Sequence, residues 1–168
     1  LAAALLGDHL AVTTPGYALE PGLATSWRTD QTGLVWTFTL RTGVVFHDGS
    51  EFEADDVVSS FRRLLDPVNP TIAGAPFAGV LAADGVSKVN RTTVRFRLLA
   101  PTGSFPYLVS SENPGAVIVP TRWRVGSSPW FVGTGPFVST PTTSGGGAFT
   151  RFAKSWRPVT PRITRVEV

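Results

Sequence analysis

LVWTFTLRTGVVFHDGSEFEADDVVSSFRRLLDP, residues 34–67, changes its hydrophobic period once along its length. From Leu34 to Arg41 the positions alternate, with Leu34, Trp36, Phe38 and Leu40 on one face and Val35, Thr37, Thr39 and Arg41 on the other. A period of two in aromatic and β-branched residues predicts a half-buried strand. From Ala54 onward the period lengthens: Val57, Val58, Phe61, Leu64 and Leu65 recur at helical spacing. Asp55 and Asp56 fall in the first helical turn, where carboxylates complement the helix dipole. Asp66-Pro67 ends the helix, because a residue before proline is driven out of the α region. A strand followed by an amphipathic helix that packs on it points to an α+β fold. Between them, His47-Asp48-Gly49 is either a chemical pair or a turn.

Outward from this stretch the same reading continues. Trp27-Arg28-Thr29 closes a short run before the polar turn Asp30-Gln31-Thr32-Gly33, which predicts a hairpin through residues 25–41. Residues 67–85 are rich in proline, glycine and alanine and read as a long surface loop with one helical turn. VSKVNRTTVRFRL, residues 86–98, predicts a second hairpin about Asn90-Arg91-Thr92, with Val94, Phe96 and Leu98 inward and Thr93, Arg95 and Arg97 outward. Pro101 to Pro120 reads as a loop with a short helix near Phe105 to Ser110, ending in the apolar run Ala116 to Val119. The stretch from Gly133 to Pro158 predicts strand, glycine turn at Gly145 to Gly147, and strand. No internal repeat and no domain boundary interrupts the chain.

The 168 residues suit one domain, and 17 glycines with 14 prolines favour short strands joined by turns. Without cysteine the chain has no disulfide, thiolate metal site or cysteine nucleophile. No apolar run in the sequence reaches the roughly 20 residues a membrane-spanning helix needs. Leu1 to Leu6 is too short for a signal peptide, and a start on Leu1 suggests an upstream segment removed or cut away. The net charge of +3 hides an asymmetry: residues 1–84 hold 4 basic and 10 acidic side chains, residues 85–168 hold 11 basic and 2 acidic. Such a split can mark a nucleic-acid face, but the basic residues stand singly or alternate along strands, which favours a surface charge pattern and no nucleic-acid partner.

The motifs that suggest chemistry do not converge. Two distant histidines, His9 and His47, lack the spacing of a zinc site. His47 and Asp48 are adjacent on an extended chain and point apart, so they cannot act as base and orienter; aspartate followed by glycine suits a turn. Gly133-Thr134-Gly135-Pro136-Phe137 carries neither a third glycine at Val138 nor a phosphate-binding lysine, and reads as a tight connection. Trp27 and Trp36 lie in strand pattern and are expected in the core; Trp123, Trp130 and Trp156 sit beside arginine, proline or glycine and are candidates to line a cleft.

Taken in order, these segments resemble the family-5 extracellular solute-binding proteins, the ligand-binding components of ABC importers for peptides, nickel and related solutes. The resemblance is carried by LEPGLATSWRTDQTGLVWTFTLRTGVVFHDGSEFEADDVVSSFRRLLDP, residues 19–67, and in order by VSKVNRTTVRFRL, VGTGPFV and FAKSWRPVTPRITRVEV. Glu53 stands where the family usually has a capping threonine, and Lys154-Ser155-Trp156 lacks its usual asparagine and tyrosine.

The resemblance implies a mixed, β-rich lobe of a two-lobed periplasmic-binding-protein-like fold. Residues 1–168 would be part of the N-terminal lobe, with the opposing lobe absent. It further implies non-catalytic capture of a small solute, most often an oligopeptide, outside the cytoplasm (periplasm or cell-surface lipoprotein), then docking to an ABC permease in the membrane. No cofactor and no metal follow from it. Cleft contacts carried over from the family fall on Tyr107, Ser110, Ser111, Glu112 and Asn113, then Trp130, Phe131 and Gly133. A lone lobe is expected to bind solute weakly and, exposing apolar surface, to self-associate. The alternative is the same lobe acting as the ligand sensor of a transcription regulator.

Overall fold

The structure, a computed structural model, describes residues 5–124, 126, 131–141, 147–158 and 161–167. Two short strands, β1 (Ala11–Thr13) and β2 (Leu19–Pro21), form an antiparallel hairpin. They lead into β3 (Ala24–Thr29) and β4 (Val35–Leu40), the first predicted hairpin, with a bulge between Ala24 and Ser26. Asp30 closes its turn by accepting from the backbone N–H of Val35 (3.1 Å) and the hydroxyl of Thr32, while Gly33 takes a φ of +71°, which suits glycine. Helix α1 (Ala54–Leu64) follows, then β5 (Val86–Asn90) and β6 (Thr93–Arg97), the second hairpin. The order across this antiparallel sheet is β3-β4-β6-β5, with Trp36 opposite Phe96 and Phe38 opposite Val94.

The alternation read from the sequence sets the core. Trp36, Phe38, Leu40, Val94, Phe96 and Leu98 are all buried, and α1 lies across β5 and β6 with Val57 and Phe61 against them. Phe61 meets Phe96 edge-on at 5.1 Å and Phe77 at 5.7 Å; Phe38 meets Phe96 at 5.4 Å. Aromatic rings in these offset and edge geometries add to what their buried area contributes. Helix α1 starts where Asp56 accepts from the Glu53 backbone N–H (2.9 Å) and ends at Leu65, one residue before Asp66-Pro67. Asp56 therefore does more than complement a dipole. It is buried, and it also accepts from the N–H and hydroxyl of Thr121, both at 2.8 Å.

The proline-rich region departs from a plain surface loop. It contains two 3-10 turns, Ile72–Phe77 and Ala83–Gly85, the first capped by the Thr71 hydroxyl accepting from the Gly74 N–H. These turns drive Phe77 and Leu81 into the core. After the short helix α2 (Phe105–Leu108), Ala116, Ile118 and Val119 are buried without strand pairing, and Ser60 of α1 bonds both the N–H and the carbonyl of Val119 at 3.1 Å. A separate antiparallel sheet, β7 (Phe137–Pro141), β8 (Gly147–Arg151) and β9 (Arg165–Glu167), completes the chain. Most of the predicted glycine turn between β7 and β8 lies outside the described residues. Trp27, expected in the core, is half-buried at the edge strand β3, stacked on Phe38 at 6.0 Å.

Candidate functional site

Residues 5–13 run as a spine through the predicted site, leaving a helical turn at Leu5–Leu6 and entering β1 at Ala11. At one end, Leu6 accepts from the Gly135 N–H (3.0 Å); further on, Asp8 accepts from the Ile118 N–H (3.0 Å). At the other end, Ala11 bridges Ser110 in parallel register and accepts from the Ser111 N–H (3.2 Å). The opposite side of the spine pairs with residues 22–24 through the carbonyls of His9 and Leu10. The predicted residues thus divide into two groups. Tyr107 to Asn113 lies at the β1 end, and Phe131 and Gly133 lie at the Leu6–Gly7 end. Four residues of chain, at most about 14 Å, separate the ends. Trp130 lies outside the described residues.

In the first group Ser110 and Asn113 are foundations. Ser110 is buried, its hydroxyl donating to the Tyr107 carbonyl (2.8 Å) and accepting from the Glu112 N–H (3.2 Å). Asn113 is buried, donating to the Leu108 carbonyl and accepting from the Gly115 N–H, each at 3.2 Å. Ser111 is half-buried and accepts from the Thr13 N–H (3.0 Å). Glu112 and Tyr107 are the exposed members. The Glu112 Oε1 accepts from the Thr13 hydroxyl (2.6 Å), and the Tyr107 hydroxyl donates to the Tyr17 carbonyl (2.9 Å).

Tyr17 escaped the sequence reading. It sits at the tip of the β1–β2 hairpin, 70% exposed, with a φ of +59°, a region that costs a residue with a side chain. The only sequence signal there is the Pro15-Gly16 turn pair. Tyr17, Tyr107 and Glu112 together form an open polar and aromatic ridge.

The second group is closely packed. A Cβ on Gly133 would lie 2.2 Å from the Leu6 carbonyl oxygen, so only glycine lets these backbones approach. His47 clasps this loop. Its N–H donates to the Gly133 carbonyl (2.9 Å), its Nδ1 accepts from the Gly133 N–H (3.3 Å), and its Nε2 lies 3.0 Å from the Gly135 carbonyl. That set requires the neutral ring with hydrogen on Nε2. Burial holds the His47 pKa below the ordinary histidine value, against the opposing pull of the Gly135 carbonyl and the carboxylates of Asp8 and Asp48. The neighbouring Asp48 makes the turn that its sequence predicts, accepting from the Ser50 N–H (3.0 Å) beside Gly49 at φ +84°. His47-Asp48 is therefore structural.

Asp8 also went unread in the sequence. Its buried carboxylate accepts from the Thr134 hydroxyl and the Trp156 indole N–H, both at 2.9 Å, and pairs with Arg157. Trp156, a cleft candidate from sequence, is instead half-buried beneath Arg41, whose guanidinium carbon stands 4.5 Å from the ring centroid. Trp123, the other described candidate, is half-buried between Phe131, at 6.2 Å, and Arg63. His9 is buried beside Asp8, and among the described residues its Nε2 has no hydrogen-bond partner; burial lowers its pKa, and the Asp8 carboxylate opposes this. Among the described residues no group of three or more histidine, aspartate or glutamate side chains could hold a metal ion.

The profile of the bacterial extracellular solute-binding proteins, family 5, matches residues 18–168. Di/tripeptide-binding protein 2 of Pseudomonas aeruginosa is 37% identical over 159 residues, covering 80% of this chain and 30% of the relative. The dipeptide-binding protein of Escherichia coli K12 is 34% identical over 140 residues, covering 70% of this chain and 26% of the relative. Among solved structures, the mannopinic-acid complex of MoaA from A. tumefaciens R10 superposes with a TM-score of 0.83 at 29% identity, covering 99% of this chain and 34% of that one. The Pseudoalteromonas dipeptide-binding protein bound to Met-Leu gives 0.79 at 27% identity, covering 97% and 36%. The chain thus spans about a third or less of the length of these relatives.

Proposed function

Because the chain belongs to family 5 of the bacterial extracellular solute-binding proteins, we propose that it supplies one wall of a solute-binding cleft in a two-lobed protein of an ABC importer. The proposed solute is a short peptide, captured outside the cytoplasm without any bond being made or broken. The opposing wall would come from a second lobe, and closure over the solute would present the complex to a membrane permease. Relatives named for di- and tripeptide binding favour the peptide reading over other small solutes.

The observation that carries the reading is the ridge formed by Tyr17, Tyr107 and Glu112. Its side chains are exposed, yet the Thr13 hydroxyl holds the Glu112 carboxylate and the backbone carbonyl of Tyr17 holds the Tyr107 hydroxyl. Buried Ser110 and Asn113 fix the backbone beneath. An exposed, preorganised ridge with no enclosing wall is what half a cleft presents, since affinity in such sites comes from enclosure of the ligand on both sides. On Glu112 only Oε1 has a hydrogen-bond partner among the described residues, which leaves Oε2 for a peptide ammonium.

Calorimetric titration with dipeptides tests this. The 168-residue chain alone is expected to bind no tighter than about millimolar. Joined to its second lobe, it should bind in about the micromolar range or tighter, with Glu112→Gln weakening binding about tenfold and N-acetylated dipeptides insensitive to that change. Nanomolar binding by the lone chain, or full affinity in Glu112→Gln, would overturn the reading.

A further inference from the structure

Along α1 runs a groove of about 630 Å3 that shares no residue with the ridge and is bordered by Ser59, Arg62, Arg63, Thr121 and Arg124. Its hydroxyls are already committed: Ser59 donates to the Asp56 carbonyl (3.1 Å) and Thr121 to the Asp56 carboxylate (2.8 Å). The carboxylate of Asp55, also in its lining, is paired with Lys88 at 2.6 Å. The three arginines have no such partner: among the described residues none of them lies within salt-bridge distance of a carboxylate.

Two of the arginines are also positioned, while Arg62 is exposed at the groove's edge. Arg124 donates through one terminal nitrogen to the carbonyls of Thr121 (2.7 Å) and Trp123 (2.9 Å), which fixes its head and leaves its other donors open. The half-buried Arg63 sets its guanidinium carbon 5.3 Å from the Trp123 ring centroid, so one face is covered and the N–H edge remains available. Burial, then the charge of Arg124, depress its pKa, with no carboxylate acting against them. A desolvated cation beside a like charge gains most from an anion that accepts several N–H bonds at once.

We propose that this groove binds a phosphate group, either free phosphate or the phosphodiester of an anionic lipid, between the guanidinium edges of Arg62, Arg63 and Arg124. A tetrahedral oxyanion offers acceptors in several directions to donors on three side chains, which a planar carboxylate cannot match. The site does not depend on the solute-binding reading, since it shares no residue with the ridge.

The test titrates the chain with inorganic phosphate, and with acetate at equal ionic strength, following the arginine Nε–H resonances by NMR. A second arm measures co-sedimentation with phosphatidylglycerol/phosphatidylcholine vesicles. Saturable phosphate shifts are expected, weakened about tenfold in both Arg63→Gln and Arg124→Gln and unchanged in Arg28→Gln, which removes the same charge from the exposed face of β3. Vesicle binding with the same pattern across variants, without free-phosphate binding, assigns the site to a lipid headgroup. Each variant is first checked for an unaltered melting transition, and Arg124, being exposed, serves if Arg63→Gln fails that check. Acetate binding as tight as phosphate, an equal loss in Arg28→Gln, or no binding in either arm would overturn the proposal.

Discussion

Against the four-stranded sheet, Phe38 and Phe96 meet Phe105 of α2 in a buried cluster that α1 closes through Phe61. Beside the three-stranded sheet, the segments that flank its strands are tied back largely through polar groups: Thr134, Trp156 and Arg157 converge on buried Asp8, and His47 clasps Gly133 and Gly135, with Phe152 edge-on to its ring at 4.9 Å. Hydrophobic burial is non-directional and tolerates some slack, whereas a buried carboxylate or imidazole demands particular partners at particular distances. The first region is therefore held by area and the second by stereochemistry. Loss of one group should spread through the first region but stay local in the second.

The largest effect is expected from Phe38→Ala, which opens a cavity where three rings meet and should destabilise the whole chain by about 3–5 kcal/mol. Chemical denaturation measures it, and amide exchange should accelerate in both sheets together. Asp8→Ala follows, at about 3 kcal/mol, because it strands the Arg157 guanidinium and the indole N–H without an acceptor. Here exchange should accelerate in β7 and β8 while β4 and β6 keep their protection. If Asp8→Ala exposes both sheets equally, the division between the two regions is wrong.

The same division explains what the sequence reveals. Leu34 to Leu40 and Val94 to Leu98 show their burial as a period of two, and residues 54–65 as a helical period, because each element faces one continuous apolar surface. The resemblance carried by residues 19–67 rests on that part of the chain. Asp8 gives no such signal: its three partners lie 126, 148 and 149 residues away, and nothing in an isolated aspartate tells a buried acceptor from a solvated one. Phe77 was obscured for another reason. Its Pro- and Gly-rich surroundings read as loop, yet a capped 3-10 turn is enough to bury a single ring. At the site, glycine spacing marked Gly133 as a tight connection, but neither His47 as its clasp nor Tyr17 as part of the ridge was readable, because both depend on chain crossings that only the fold supplies.

The charge asymmetry also finds its cause in these crossings. Each of the ion pairs Lys88–Asp55, Arg91–Glu51, Arg91–Glu53, Arg122–Asp48 and Arg157–Asp8 joins an acid from the first half to a base from the second. Among the described residues, four of the eleven bases of residues 85–168 thus meet five of the ten acids of residues 1–84, so part of the split serves the chain's own closure.

His47 sharpens the comparison by pH. Its folded pKa lies below the ordinary 6.5, so the unfolded chain binds the proton first as pH falls. The His47 contribution is complete above pH 6.5 and is lost as pH falls from there through the folded value, since a proton on Nδ1 would oppose the Gly133 N–H. His9, lowered in the same direction by burial, adds to the slope. His47→Ala should cost about 1–2 kcal/mol at neutral pH, the worth of its hydrogen bonds, and flatten the decline of melting temperature between pH 7 and pH 5. An unchanged slope would leave His9 as the group responsible.

The smallest effect marks the limit of the stereochemical argument. Lys88–Asp55 is as short as a charge pair normally becomes, 2.6 Å, yet the side chains are 39% and 56% exposed. Water screens the attraction, and ordering a long lysine chain offsets much of the rest. Lys88→Ala should change stability by less than about 0.5 kcal/mol, and by less still at high salt. Asp8–Arg157 differs from this pair in burial, with the Asp8 side chain at 1% exposure, and in the further donors that Asp8 accepts from. Denaturation of Lys88→Ala and Asp8→Ala side by side thus sets a solvent-screened pair against a buried acceptor shared by Thr134, Trp156 and Arg157: a loss in Lys88→Ala approaching that in Asp8→Ala would mean that proximity of charge, and not burial of the acceptor, holds the two regions of the chain together.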